Sequence, residues 1–140
     1  MKTHWMLFVS MFVASELVAD TLGPLADIQG SPERGRQVFV EREAGHCVLC
    51  HQVGGLQAPF QGNLGPALSG IGARLSAAQI RLRIADASVL NPDTIMPPYY
   101  RTEGLAQVGS AYRGQTVLTA EQIEHLVAWL SSLTAEQDDG

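Results

Sequence analysis

Between Gln52 and Gly72 the chain carries Gly54, Gly55, Gly62, Gly65, Gly70 and Gly72, interrupted by Pro59 and Pro66. Glycine weakens any regular element and proline removes a backbone donor, so this stretch has no room for a long helix or strand. A second block, "NPDTIMPPYY" from Asn91 to Tyr100, places Pro92, Pro97 and Pro98 close together and enforces an extended, turning path. Regular structure is confined to what remains, and a hydrophobic core built from so little is thin.

Three segments read as helices. Ser31 is a good N-cap, Pro32 fits the first helical position and Glu33 suits the positive end of the helix dipole. Val38 and Phe39 supply an apolar patch, Gly35 lies one turn before Phe39 on the same face, and Gly45 is the expected C-terminal stop. The second helix is expected from Ala77 to Ala87, capped by Ser76, with Ile80, Ile84 and Ala87 at helical spacing. The third has the strongest signals: a capping box of Thr119 and Gln122, then Ile123, Leu126, Val127, Leu130 and Leu133 on one stripe, flanked by Trp129. No strand and no internal repeat is legible. The expected fold class is all-α, about three helices plus long loops in one domain.

The ends read differently. Lys2 and His4 precede the apolar run "WMLFVSMFVA", which is followed by Ser15, Glu16 and Ala19. A charged start, a short apolar run and small residues make a secretory signal peptide over residues 1–19, cleaved between Ser15 and Asp20. The run is shorter than the ~20 apolar residues a membrane span needs, so no span is expected after cleavage. Residues 20–30, with Gly23-Pro24 and Gly30, read as a tether. Residues 31–134 form the expected domain, and 135–140 a polar tail. The formal net charge is −5, from 14 acidic and 9 basic residues. No basic run appears, which argues against a nucleic-acid partner.

A small domain with this much loop needs a staple: a disulfide, a metal or a cofactor. Export would favour pairing the two cysteines, Cys47 and Cys50. That reading leaves His51, directly after Cys50, unexplained. A zinc site needs four ligands, and His46 and His125 fit no such spacing. A dithiol redox pair belongs after a strand in a βαβ setting, which is not visible. Cys47-Val-Leu-Cys50-His51 is the attachment signature of c-type haem. Two thiols three residues apart each add to one of two vinyl groups on a single edge of the ring, and the next residue turns its imidazole under the ring to bind iron. The reading is therefore one covalently bound haem c, with thioethers from Cys47 and Cys50 and His51 as proximal iron ligand.

A second axial ligand is sought next. Met1, Met6 and Met11 lie in the signal peptide, leaving Met96 in the Pro-rich loop as distal ligand. Methionine is a soft neutral ligand that favours reduced iron. His125, within the last helix, is the competitor and is expected at a surface or interface. His46 abuts Cys47 and is badly placed for the opposite face. A proximal histidine also needs its second ring nitrogen hydrogen-bonded. The stretch "NLGPAL" resembles class I cytochromes c, in which a loop proline carbonyl plays this part, and the resemblance implies Pro66 as the matching residue.

"HCVLCH", "NLGPALSGIGAR", "NPDTIMPPYY" and "LTAEQIEHLVAWLSSL" together resemble class I cytochrome c, and within it the SoxX family, small monohaem subunits of SoxAX sulfur-oxidation cytochromes. The resemblance covers roughly residues 31–134. It implies a class I cytochrome c fold in which the first and last helices cross, with Gly35 and Phe39 meeting the Trp129 region. It implies a periplasmic heterodimer with a larger SoxA-like cytochrome, which joins thiosulfate oxidatively to a cysteine of a SoxYZ-like carrier. The active haem would belong to the SoxA-like partner, and this chain would pass electrons to a cytochrome acceptor. The residues agree with that division: both cysteines are consumed by haem, so no thiolate nucleophile remains in the chain. Three readings stay open at this point: a dedicated subunit, a free periplasmic cytochrome c shuttle, and a gas-binding haem protein that would require Met96 to be off the iron. The apolar loop "GGLQAPFQG", residues 54–62, is a candidate partner surface. Arg74, Arg81, Tyr99 and Arg101 are the candidates for holding the haem carboxylates.

Overall fold

The computed structural model describes residues 21–135. The signal peptide expected over residues 1–19, and the polar tail beyond residue 135, lie outside the described residues. Four α-helices occur among them: α1 (Pro32–Val40), α2 (Ile71–Arg74), α3 (Ala77–Asp86) and α4 (Ala120–Ser132). Short 3₁₀ turns cover Cys47–Leu49, Ala87–Val89 and Ser110–Tyr112. The described residues contain no strand, in line with the all-α expectation.

The caps act as the sequence suggests. The Ser31 hydroxyl accepts from the Arg34 amide at 3.3 Å. At Ser76 and at Thr119 both arms of a capping box are made, with Gln79 and Gln122. Each reciprocal pair satisfies two amides that a helix N-terminus otherwise leaves orphaned.

Helix α4 is the centre of the molecule. Its stripe of Ile123, Leu126, Val127 and Leu130 is buried, and α1, α2 and α3 all pack on it. The crossing with α1 depends on Gly35, where a β-carbon would overlap the His125 carbonyl and lie 2.8 Å from Trp129 Cβ. The bare backbone lets the helices approach until Phe39 meets Trp129 edge to face, ring centroids 4.9 Å apart. Phe39, Leu118, Ile123 and Leu126 are fully buried, each worth roughly 1.5–3 kcal/mol of transfer free energy.

Three local expectations need correction. Helix α1 ends at Val40, not near Gly45: the Glu41 amide bonds Gln37 O at 3.0 Å while Glu41 itself turns extended. Gly45 is instead a packing glycine, because a β-carbon there would sit 2.8 Å from Cys47 Sγ. Second, the short α2, Ile71–Arg74, was not anticipated; it begins at the edge of the stretch expected to hold no long element. It starts after Gly70 at φ +67° and is held to the end of α4 by a 2.9 Å bond from the Gly72 amide to Leu133 O. Third, His125 is buried, and its Nδ1 accepts the Ser31 amide at 3.0 Å. The helical face expected at a surface or interface is covered by the start of α1.

The segment read as a tether is laid across α3 and α4. Leu22 N–H donates to Ala78 O at 3.0 Å, and Leu25 N–H to Glu124 Oε1 at 2.8 Å. Arg81 donates from Nη1 to Leu22 O and makes a two-pronged pair with Glu124, each bond 2.8 Å. This ion pair is buried, and its remaining hydrogen-bonding capacity is used on residues 22–25, which is what an internal charge pair requires.

Candidate functional site

The site is built on a tight turn. The amides of Cys50 and His51 both donate to Cys47 O, at 3.1 and 3.0 Å, so residues 47–51 coil and bring both thiols and the imidazole to one wall. The glycine-rich loop runs beside this turn. Gly62 N–H bonds Val48 O at 2.9 Å, Gly65 N–H bonds Cys50 O, and Leu68 N–H bonds Gln52 O, each of these two at 2.8 Å. Side chains would block this approach: a β-carbon at Gly62 would overlap Leu49 O, and one at Gly65 would overlap the His51 ring, 2.7 Å from Nδ1.

His51 Nδ1 lies 2.7 Å from Pro66 O. A carbonyl only accepts, so Nδ1 carries the proton and Nε2 keeps its lone pair. This is the tautomer a metal-binding imidazole needs.

The opposite wall comes from the Pro-rich loop. Asp93 N–H donates to Asn91 Oδ1 at 3.1 Å and Met96 N–H to Thr94 Oγ1 at 3.2 Å, which fixes the turn before Met96. Beyond it, the amides of Tyr99 and Tyr100 donate to Ile84 O and Ala85 O of α3 at 3.3 and 3.1 Å. Tyr99 Oη then reaches across to Gly45 O at 3.0 Å, tying the two walls together. Burial is the main reason the Tyr99 hydroxyl is pushed up to about 12, so it stays a donor at neutral pH.

Between the walls lies a cavity of about 500 Å³. It is lined by Cys47, Cys50, His51, Pro66 and Met96 together with apolar side chains that include Phe39, Ile80, Ile84, Leu126 and Leu130. Its volume is that of a pocket for a large organic ligand, for which about 300–1,000 Å³ is typical. The two sulfurs are not bonded to each other. Burial pushes the Cys47 thiol up to about 12, as for a thiol facing an apolar chamber. The donor set therefore fits a haem: two thiols beside one histidine, a neutral imidazole nitrogen, a thioether and greasy walls.

Of the other expected residues, His46 lines the same cavity from a left-handed conformation, φ +44°. His125 does not line it. Among the residues considered for the haem carboxylates, only Tyr99 does. Arg81 is committed to Glu124, Arg101 donates to Asp86 and Ser88 at 2.9 Å, and Arg74 donates to Ser69 O at 2.8 Å. The guanidinium that does line the cavity is Arg83. Its signal in the sequence was its place at the i+3 position between Ile80 and Ile84.

A cytochrome c family model matches residues 32–134. No match is found among curated proteins. The crystal structure of SoxXA from P. pantotrophus contains a chain that is 33% identical, with a TM-score of 0.75, covering 82% of this chain and 90% of that one. The c-type cytochrome SorU from Sinorhizobium meliloti is more distant, at 22% identity and a TM-score of 0.49, covering 75% of this chain and 92% of that one. No helix among the described residues is long and apolar enough to cross a membrane. A match over most of the chain, meeting a cavity with this donor set, has one reading: the chain belongs to the cytochrome c family, as a SoxX-like class I cytochrome that carries covalently bound haem c and transfers electrons.

Proposed function

We propose that this chain is the electron-transfer subunit of a periplasmic sulfur-oxidising complex, paired with a larger SoxA-like cytochrome. In this reading, thiosulfate is coupled oxidatively to a cysteine of a SoxYZ-like carrier on the partner. The two electrons released leave one at a time through this chain to a cytochrome acceptor. Alone, the chain is not catalytic.

The observation that carries the haem assignment is that Cys47, Cys50, His51 and Met96 line one cavity. Cys47 and Cys50 would hold the haem by thioether bonds, and His51 and Met96 would bind its iron. Bound there, the haem supplies reversible one-electron chemistry at iron. The chain does the rest. Pro66 holds the His51 proton at Nδ1, the Pro-rich loop presents Met96, and Phe39, Ile80, Ile84, Leu126 and Leu130 exclude water. With both His51 and Met96 binding it, the iron would keep no open position for substrate, which favours electron transfer over gas binding or direct sulfur chemistry.

Two observations support a dedicated subunit over a free shuttle. One is the likeness to a chain of SoxXA. The other is Phe60, 87% exposed on the apolar loop beside the Cys47–His51 turn, with Leu49 and Leu64 also 62% and 68% exposed. Apolar side chains this bare suit a lasting partner face better than the charged rim that steers transient encounters.

Gentle purification of the tagged protein from its own periplasm tests this. The expected result is a stoichiometric second c-type cytochrome with a cysteine to spare, and thiosulfate-dependent haem reduction once a carrier is added. A lone red protein that exchanges electrons with many partners would overturn the subunit reading and leave the shuttle.

A further inference from the structure

Two buried titratable side chains, neighbours on α4, take no part in electron transfer. Glu124 Oε1 accepts the Leu25 amide at 2.8 Å, and His125 Nδ1 accepts the Ser31 amide at 3.0 Å. Neither lines the cavity. Between these two anchors Gly30 lies against α4, where a β-carbon would overlap Glu124 O and sit 2.8 Å from Ala128 Cβ. Leu25 packs on the hydrophobic core. The outer end is held from α3: Ala78 O accepts the Leu22 amide at 3.0 Å, and Arg81 Nη1 donates to Leu22 O at 2.8 Å. Residues 22–30 thus form a strap without helix or strand, fastened to α4 mainly through Glu124 and His125.

Both fastenings are sensitive to protons. An imidazole accepts at Nδ1 only while that nitrogen is bare; a proton there sets one donor against another, the Ser31 amide. A proton on the Glu124 carboxyl removes the charge that answers Arg81, whose guanidinium stays buried. We propose that Glu124 and His125 form a proton-released latch: the strap is docked near neutral pH and lets go of α4 in acid, while the helices around the cavity stay in place. The inference stands apart from the haem and from the partner.

The direction is the same at both groups. With the strap released, water replaces the lost partners, so proton uptake breaks no protein hydrogen bond. Protons therefore bind the released state more readily, and by linkage acid favours release. The charged groups on the surrounding elements are few. Arg81 faces Glu124 from α3, where Asp86 is paired with Arg101 and Arg83 lines the cavity. Asp27 on the strap, Glu33, Arg34 and Arg36 on α1, and Glu121 on α4 are exposed. Release uncovers the part of the core that Leu25 covers.

The test is residue-resolved amide hydrogen exchange on the haem-loaded protein from about pH 8 to about pH 4. Each rate is divided by that of an unstructured chain at the same pH. Wild type is compared with His125→Asn and Glu124→Gln, whose side-chain carbonyls still accept an amide but take no proton in this range. In wild type the Leu25 and Ser31 amides should lose protection as pH falls, by up to about tenfold per pH unit for each linked proton. That loss should precede any in α4 and leave the visible haem absorption unchanged. His125→Asn should suppress the loss at Ser31, and Glu124→Gln the loss at Leu25. His125→Asn carries the test alone should Glu124→Gln fail to fold. Strap amides equally protected across the range overturn the proposal. So does loss in strap and α4 together, because the whole domain would then be opening. So does a loss at Ser31 that His125→Asn leaves undiminished.

Discussion

His51 Nδ1 sits 2.7 Å from the Pro66 carbonyl, while His125 Nδ1 sits 3.0 Å from the Ser31 amide. The first nitrogen faces an acceptor and the second a donor. The fold therefore protonates His51 at Nδ1 and His125 at Nε2, opposite tautomers of one side chain. Of these two, His51 alone presents a lone pair from Nε2 and lines the cavity, which His46 also borders. Gly65 makes that arrangement possible by carrying no β-carbon where the ring lies. Gly65→Ala should lower stability by about 2 kcal/mol and alter the visible absorption of the haem. Wild-type stability and spectrum in this variant would show that the ring can move aside.

Met96 offers a sharper spectroscopic outcome. Met96→Ala should abolish the far-red iron–thioether absorption of the oxidised protein and lower the reduction potential, since the thioether favours reduced iron. An unchanged band would exclude Met96 as ligand and reopen the gas-binding reading.

The α1–α4 crossing has its own test. At Gly35 a methyl group would strike the His125 carbonyl and approach Trp129 Cβ, on two helices with no slack. Gly35→Ala gains helix propensity but should still cost about 3 kcal/mol through separation of the helices. Denaturant unfolding of the haem-loaded protein measures this, and a stabilised variant would contradict the packing described.

Acid should act through Glu124. Burial raises its carboxyl, but the Arg81 hydrogen bonds, the Leu25 amide and the Arg81 charge outweigh that and hold it below its ordinary value. A carboxyl lowered in the folded state contributes stability in full above its unfolded value, and loses it as pH falls through the lower folded one. Stability should therefore decline with acid over that window, and Glu124→Gln should flatten the decline. The variant should also be less stable near neutrality by about 3 kcal/mol, because Arg81 stays buried without its partner charge. Equal acid slopes for the two proteins would remove Glu124 from the account.

Much of the site and the helical frame was legible in the chain itself. The attachment motif, the caps at Ser31, Ser76 and Thr119, the stripe of α4 and the rigid loop around Met96 are local, each a matter of residues a few positions apart. Their chemistry is set by spacing, which a sequence displays directly. The Pro66 partner of His51 was legible only through the resemblance of "NLGPAL" to class I cytochrome c, because a loop carbonyl 15 residues away carries no local mark of its own. What tertiary structure decided lies at long separation. His125 meets Ser31 across 94 residues, and Glu124 meets Leu25 across 99, so the burial of one and the docking of the N-terminal segment by the other had no local signature. Arg81 and Arg83 share α3, and although Arg83 stands between Ile80 and Ile84 the sequence does not say which of the two arginines faces the haem. Which of them reaches the cavity depends on the rotation of α3 against α4, and that rotation is settled by packing: apolar residues distributed over the whole chain choose the arrangement that buries them together.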